Sequence, residues 1–119
     1  MILDTGTLWW FAISMFIHTM LVSFTNPIAD ALLDQFLSDI ETVMKDTGVV
    51  RDFSAYHHVP VQGEEAIPAF IATAMLKFTV EAQEDLATFF AAPGATDVIH
   101  KWKATHPYQV GWVNYEAHE

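Results

Sequence analysis

Apolar residues change their spacing along the chain, and this change predicts the secondary structure. β-Branched and aromatic residues dominate from about residue 11 to Phe24, which predicts a strand that ends before Thr25-Asn26-Pro27. From about Pro27 to Asp46 they recur at i, i+3 and i+4, which predicts a helix that stops at Gly48. The apolar stripe of this helix consists of Leu32, Leu33, Phe36, Leu37, Ile40, Val43 and Met44. Such a stripe is expected to face a sheet.

The second half of the chain predicts two further strands, a broken helix and a last strand. Val49–Val61 and Ala69–Val80 are predicted to pair as antiparallel strands across an acidic loop. A helical region begins near Ala82 and breaks at Pro93-Gly94, and Tyr108–Tyr115 predicts the last strand. The order βαββαβ indicates an α+β, ferredoxin-like fold with a four-stranded antiparallel sheet and its helices on one face.

A sheet of this kind leaves its second face uncovered. We expect a second copy to pack there, sheet against sheet, so that a homodimer forms an α/β barrel. The 119 residues are 52% hydrophobic and 17% charged, which also favours a buried interface or an apolar cavity. We expect one domain over residues 16–119, with residues 1–15 forming an N-terminal extension or the start of the first strand.

Charge and cysteine content exclude several classes of function. Fifteen acidic residues against five Lys and Arg give a formal net charge of −10, so we expect no nucleic-acid partner. The chain has no cysteine, which excludes disulfides, thiolate metal sites and a cysteine nucleophile. The apolar run over residues 8–24 lacks a preceding basic segment and contains Ser14, His18 and Thr19. We therefore expect a cytoplasmic protein without a membrane partner.

Three short segments occur in an order that resembles a known family. Ile17-His18 opens an apolar strand that ends in Phe24, Lys77-Phe78 precedes a helix containing Glu84-Asp85-Leu86-Ala87-x-Phe89-Phe90, and the last strand contains Val113-x-Tyr115-Glu116. Over residues 16–116 this order resembles the stress-responsive dimeric α/β-barrel domain, a family that includes the olivetolic-acid-cyclase-like polyketide cyclases.

The resemblance implies a lipophilic pocket between the sheet and the helices. Carried over to this sequence, its walls are His18, Met20, Val22, Phe36, Leu37, Ile40, Ala74, Leu76, Leu86, Phe89, Phe90, Val110 and Trp112. Strand alternation agrees, because Met20 and Val22 share a face with His18. A pocket with this lining suits an aromatic, acyl or terpenoid ligand.

The sequence departs from the cyclases at the residues that carry their chemistry. The resemblance requires a His-Pro-x-His turn after the second helix, whose second histidine acts as the general base with a nearby tyrosine. This chain has Ala92-Pro93-Gly94-Ala95 there, and Phe89 at the position that matches the tyrosine. Either the chemistry has moved to other residues or the domain only binds a ligand.

His18, Tyr56 and His58 are the candidates for relocated chemistry. An imidazole on a barrel strand can take a proton from an enolisable substrate, although a lone histidine on an apolar strand is also typical of a hydrogen-bonded core residue. Tyr56 and His58 share one side of their predicted strand, and His57 faces the other. Such a Tyr-His pair can orient a carbonyl, or it can be a solvated or interface pair.

Three functional hypotheses remain. The first is a cofactor-independent enzyme of secondary metabolism that cyclises or isomerises a lipophilic polyketide-like or aromatic substrate by proton transfer. The second is a non-catalytic stress-responsive barrel, and the third is a carrier of a lipophilic small molecule. Trp102 and Trp112 keep open a further alternative, a cofactor-free oxygenase, although core packing explains both residues as well. We expect no cofactor. We also expect no metal ion, because the histidines lack the spacing of ligands that converge on one ion.

Overall fold

The computed structural model describes residues 14–118, which form one four-stranded antiparallel sheet with three helices. In chain order the elements are β1 Ser14–Phe24, α1 Asp30–Lys45, β2 Asp52–His57, a 3₁₀ turn Glu64–Ala66, β3 Ala74–Val80, α2 Gln83–Phe90, α3 Ala95–Thr105 and β4 Tyr108–His118. The strand order in the sheet is β2-β3-β1-β4. The predicted ferredoxin-like βαββαβ fold is therefore confirmed.

The register of the sheet decides which side chains face the helices. β1 pairs with β4 along its whole length, with His18 opposite Asn114, Met20 opposite Trp112 and Val22 opposite Val110. On its other side, β1 pairs with β3 from Phe16–Val80 to Val22–Ala74. Because paired residues of antiparallel strands point to the same side, the even-numbered positions of these three strands all face the helices.

The core forms where α1 packs on this face. Its stripe buries Leu33, Phe36, Leu37, Ile40, Val43 and Met44. Leu32 was predicted to belong to this stripe, but it is 43% exposed and lies outside the buried face. Phe36 is fully buried, and its ring lies 5.1 Å from that of Phe24, 5.1 Å from that of Tyr108 and 5.5 Å from that of Trp102. The Trp102 indole N–H donates to an Asp39 carboxylate oxygen at 2.9 Å, which ties α3 to α1. Burial and this hydrogen bond together fix the two helices relative to each other.

The element bounds differ from the predicted ones at the first helix and at the later strands, including the last, which ends at His118 rather than Tyr115. The first helix begins at Asp30 rather than Pro27, because Ala29 has an extended backbone and residues 27–29 lie outside the helix. The strand predicted over 49–61 is limited to Asp52–His57, and the strand predicted from Ala69 begins at Ala74. The chain between β2 and β3 is a loop that closes on itself, with the His58 N–H donating to the Thr73 carbonyl at 2.9 Å. Residues 1–13, which include most of the predicted extension over residues 1–15 and the first part of the predicted strand, lie outside the described residues.

The sheet face opposite the helices is uncovered and partly apolar. Leu21 is 40% exposed, Tyr56 and Val113 are each 54% exposed, and Tyr115 is 39% exposed. The Tyr115 hydroxyl and the Thr19 hydroxyl form a hydrogen bond of 2.9 Å across β1 and β4 on this side. A monomer thus presents several large apolar side chains to water on one surface.

The position of Phe36 gives a stability prediction. Phe36→Ala should lower the free energy of unfolding by about 3–5 kcal/mol, because it empties a site enclosed by three aromatic rings. Leu32→Ala, on the same helix but 43% exposed, should cost less than about 1 kcal/mol. Urea unfolding at one pH measures both changes. Equal losses in the two variants would contradict the packing described for α1.

Candidate functional site

A cavity of about 260 Å³ lies between the sheet and the helices. It is bounded by strands β1 and β4 on one side and by α1, α2 and α3 on the other. The residues that line it are His18, Met20, Ile40, Val43, Met44, Phe89, Phe90, Ala95, Ile99, Lys103, Tyr108, Val110 and Trp112. Most of this lining is hydrocarbon or aromatic, so the four polar groups, from His18, Lys103, Tyr108 and the Trp112 indole N–H, determine what chemistry the cavity can support.

His18 is the buried polar residue of the cavity wall, with 2% of its surface exposed. Its Nδ1 lies 2.8 Å from Asn114 Oδ1, and an amide oxygen can only accept, so Nδ1–H donates and Nε2 carries the lone pair. No described residue hydrogen-bonds to Nε2, and within residues 14–118 no fully buried side-chain nitrogen or oxygen lacks a partner. Nε2 therefore retains access to the cavity as a proton acceptor.

Aromatic rings enclose the imidazole. The ring centroid of His18 lies 4.9 Å from that of Phe89, 5.1 Å from that of Phe90 and 5.6 Å from that of Trp112. Burial among these rings lowers the pKa of His18 below its ordinary value of 6.5, and the hydrogen bond to Asn114 opposes that shift. The site thus holds a neutral, oriented imidazole at pH 7.

The cavity opens to solvent along one rim. Phe90 is 48% exposed, Trp112 is 56% exposed and Ile99 is 36% exposed, whereas Phe89 is 3% exposed. Lys103 is also exposed at this rim, and its Nζ lies 5.0 Å from the centre of the Tyr108 ring. A ligand can therefore enter past aromatic side chains and a cation.

Two polar lining residues, Lys103 and Tyr108, were absent from the sequence-based pocket. Lys103 continues the helical spacing Ala95, Ile99, Lys103, and Tyr108 continues the strand alternation back from Trp112. Those spacings were a usable signal. Burial raises the pKa of Tyr108, so its phenol stays protonated and able to donate a hydrogen bond.

The predicted pocket residues divide into two groups. Those that the structure places on the cavity wall are His18, Met20, Ile40, Phe89, Phe90, Val110 and Trp112. Five others, Val22, Phe36, Leu37, Ala74 and Leu76, lie in the hydrophobic core and do not line the cavity. Leu86 lies elsewhere, beside Phe16 and Asn114. The difference arises because α1 packs on these sheet residues in the core, and the cavity lies beside this packed centre, toward β4.

Tyr56 and His58 are not brought to His18. Tyr56 pairs with Met75 on the uncovered face, and it shares a surface groove with His58. His58 Nε2 lies 2.8 Å from a Glu64 carboxylate oxygen. The Val61 backbone N–H, donating to the same oxygen at 2.7 Å, is the main cause of a lowered pKa of Glu64, and His58 adds to it. A catalytic role for Tyr56 and His58 stays a prediction, and the structure separates them from the cavity.

His57 points to the helix side of the sheet. Its Nε2 lies 2.6 Å from an Asp34 carboxylate oxygen, and its Nδ1 lies 3.8 Å from one of Asp30. The pair links β2 to the first turns of α1, outside the His18 cavity. Within residues 14–118 no group of three or more His, Asp or Glu side chains is placed to hold a metal ion. No helix in the same range is long and apolar enough to cross a membrane.

Solved structures share this fold at low sequence identity. The hydroxynitrile lyase of Passiflora edulis is 14% identical with a TM-score of 0.66, and the match covers 88% of this chain and 94% of that one. A dimeric ferredoxin-like protein of unknown function from Bacteroides fragilis is 16% identical with a TM-score of 0.63, covering 87% and 96%. A dabb family protein from Mesorhizobium loti is 12% identical with a TM-score of 0.64, covering 86% and 95%.

A cofactor-independent oxygenase of Streptomyces nogalater, SnoaB, is also similar, with 7% identity and a TM-score of 0.55 over 85% of this chain and 91% of that one. No protein-family model and no curated protein matches the sequence. At these identities the likeness establishes the ferredoxin-like fold, which enzymes of two different kinds and proteins of unknown function share.

The lowered pKa of His18 predicts a pH dependence of stability. As pH falls through 6.5 the unfolded chain binds a proton at this residue before the folded chain does, so the wild type loses stability. The slope from this residue cannot exceed about 1.4 kcal/mol per pH unit. His18→Gln removes this pH-dependent contribution, whereas the wild type loses it as the pH falls. The difference in unfolding free energy between wild type and variant should therefore shrink from pH 7.5 to pH 5.5 in urea unfolding. Parallel pH profiles would contradict the prediction.

Proposed function

We propose that this protein is a small cofactor-independent enzyme that moves a proton on a lipophilic substrate held in the cavity, with His18 as the general base. The reaction class is cyclisation, isomerisation or lyase-type cleavage of an aromatic or polyketide-like compound. The observation that carries the proposal is the state of His18: buried, neutral, fixed by Asn114 through Nδ1 and open to the cavity through Nε2.

The chemistry follows from that arrangement. Nε2 takes a proton from an acidic C–H or O–H of the substrate, which gives an imidazolium and an enolate or alkoxide, and the proton returns to the product in a later step. Asn114 Oδ1 accepts from Nδ1–H throughout and stabilises the imidazolium when it forms. The rings of Phe89, Phe90 and Trp112 beside His18 limit the contact of the anion with water.

The comparisons support an enzyme without deciding the reaction. A hydroxynitrile lyase and a cofactor-independent oxygenase share the fold, and each name describes chemistry that a base in an apolar cavity can perform. The dabb family protein favours the stress-responsive barrel family to which the sequence is similar. Ala95 lines the cavity at the position that matches the second histidine of the cyclase-like turn, so the proposal assigns the base to His18 instead.

A ligand carrier is the second candidate. It is favoured by Phe89 and Phe90, the two rings nearest to His18, which offer no polar partner to a reacting group. In this reading His18 is a core residue satisfied by Asn114, and the cavity only holds a lipophilic molecule.

Proton exchange tests the two candidates. We expect the wild type to accelerate deuterium uptake at the carbon next to the carbonyl of 2-tetralone in D₂O, followed by proton NMR, beyond the rate with free imidazole. His18→Gln should lower the rate of enzyme-catalysed deuterium uptake at least about 100-fold, because a general base usually contributes that much. His57→Gln, a histidine outside the cavity, is the matched control and should keep the wild-type rate.

Two results would count against His18 as the base. Full exchange activity in a folded His18→Gln variant would remove the residue from the mechanism. Binding of 2-tetralone by the wild type without any exchange would favour the carrier.

We also propose that two copies pair through the uncovered sheet face, as the dimeric ferredoxin-like protein of Bacteroides fragilis suggests. Leu21 lies at the centre of that face, opposite Gly111 and Met75. Leu21→Lys should convert a dimer into a monomer in sedimentation equilibrium, because a buried unpaired cation is costly. Leu32→Lys, at a similarly exposed leucine on α1, should leave the dimer intact. A wild-type monomer would refute the pairing.

A further inference from the structure

The charges along the cavity are asymmetric. His18 is a buried residue of the cavity wall, 2% exposed, and Lys103 is an exposed residue at the rim. His18 is level with Asn114 on β4, whereas the Lys103 ammonium sits over Tyr108, six residues away on the same strand. At about 3.3 Å per residue, that separation corresponds to roughly 20 Å of strand. The two groups therefore act on different ends of an occupant.

Among the lysines and arginine of residues 14–118, Lys77, Lys101 and Lys103 are not held in ion pairs, and Lys77, opposite Thr19, belongs to the uncovered face of the sheet. Lys45 and Arg51 are held in ion pairs with Glu41 and Glu81. Lys103 has no carboxylate within 4.0 Å among the described residues. It is also the cation of this part of the chain that lines the cavity, because Lys101 lies on a separate groove. Its charge is available to a ligand.

We infer that the cavity selects an elongated lipophilic carboxylate, whose carboxylate binds Lys103 at the rim while its apolar body extends toward His18. The inference rests on the proposed use of this cavity as a ligand site, and it adds the chemical class of the ligand. An anionic group at the rim keeps part of its hydration, so it avoids the large cost of burying a charge. The apolar body gains about 25 cal/mol for each Å² that the cavity removes from water.

The position of Lys103 on its helix favours this role over a purely structural one. Ala95, Ile99 and Lys103 recur every four residues, so Lys103 extends the apolar stripe that faces the cavity. A lysine in the last turn also interacts favourably with the helix dipole, but that interaction does not require the cavity side. The cation over the Tyr108 ring holds the side chain at the rim.

Octanoate and 1-octanol form a matched pair of probes, because they share the apolar chain and differ in charge. Each is titrated at pH 8 into ¹⁵N-labelled protein, and the Trp112 indole N–H and the Ala95 amide report occupancy of the cavity. We expect the wild type to bind octanoate about fivefold more tightly than 1-octanol, as for a partly exposed ion pair. Lys103→Gln should remove that preference and leave 1-octanol binding unchanged. Lys101→Gln should keep the preference for octanoate. Lys103→Arg should also keep it, because arginine retains the positive charge at this position.

The outcomes separate this inference from the proposed catalysis. Equal octanoate and octanol affinities in the wild type, or a preference that survives in Lys103→Gln, would overturn the carboxylate site while leaving His18-dependent exchange on the neutral ketone intact. Shifts confined to residues outside the cavity would overturn it as well. If the wild type catalyses no exchange but still prefers octanoate through Lys103, the carboxylate site would be supported and the proposed catalysis would be refuted.

Discussion

The eleven-residue register between β1 and β4 is the constraint on which the rest of the structure depends. It places His18 beside Asn114, Met20 beside Trp112 and Phe24 beside Tyr108, all on the side of the helices. Because side chains alternate along a strand, a slip of one residue would turn this whole set to the other face. The positions of the core, the cavity and the candidate base therefore all depend on the pairing of these two strands.

That ladder also explains why the imidazole is tolerated in an apolar wall. A buried polar group without a partner costs a few kcal/mol, and Asn114 supplies the partner from the neighbouring strand. The surrounding phenylalanine and tryptophan rings disfavour the charged form, so the same contacts that stabilise the fold lower the pKa of His18. Structural and catalytic interpretations of this residue thus share one set of contacts, and only the accessible Nε2 distinguishes them.

Local sequence patterns were sufficient for the fold and for part of the site. The stripe of α1 predicted its buried face except at Leu32, and Met20, which the family resemblance assigned to the pocket in agreement with strand alternation, lines the cavity. The closed packing of Phe36 could not be predicted, because it depends on how near α1 approaches the sheet. Tyr56 was assigned to the candidate site by strand alternation alone. Its pairing with Met75 places it on the uncovered face. Strand alternation identifies which residues share a face of the sheet, but only the tertiary fold determines what packs against that face.

The net charge of −10 and a preference for an anionic ligand are compatible, because they act over different distances. Exposed carboxylates farther than about 8–10 Å are largely screened at physiological ionic strength. At the rim the ammonium of Lys103 acts over a hydrogen-bonding distance, next to apolar side chains that reduce the local screening. General repulsion slows the approach of an anion, whereas the local contact sets how long it stays. For the lipophilic carboxylate proposed above, the apolar area that the cavity buries therefore has to compensate for the slower approach.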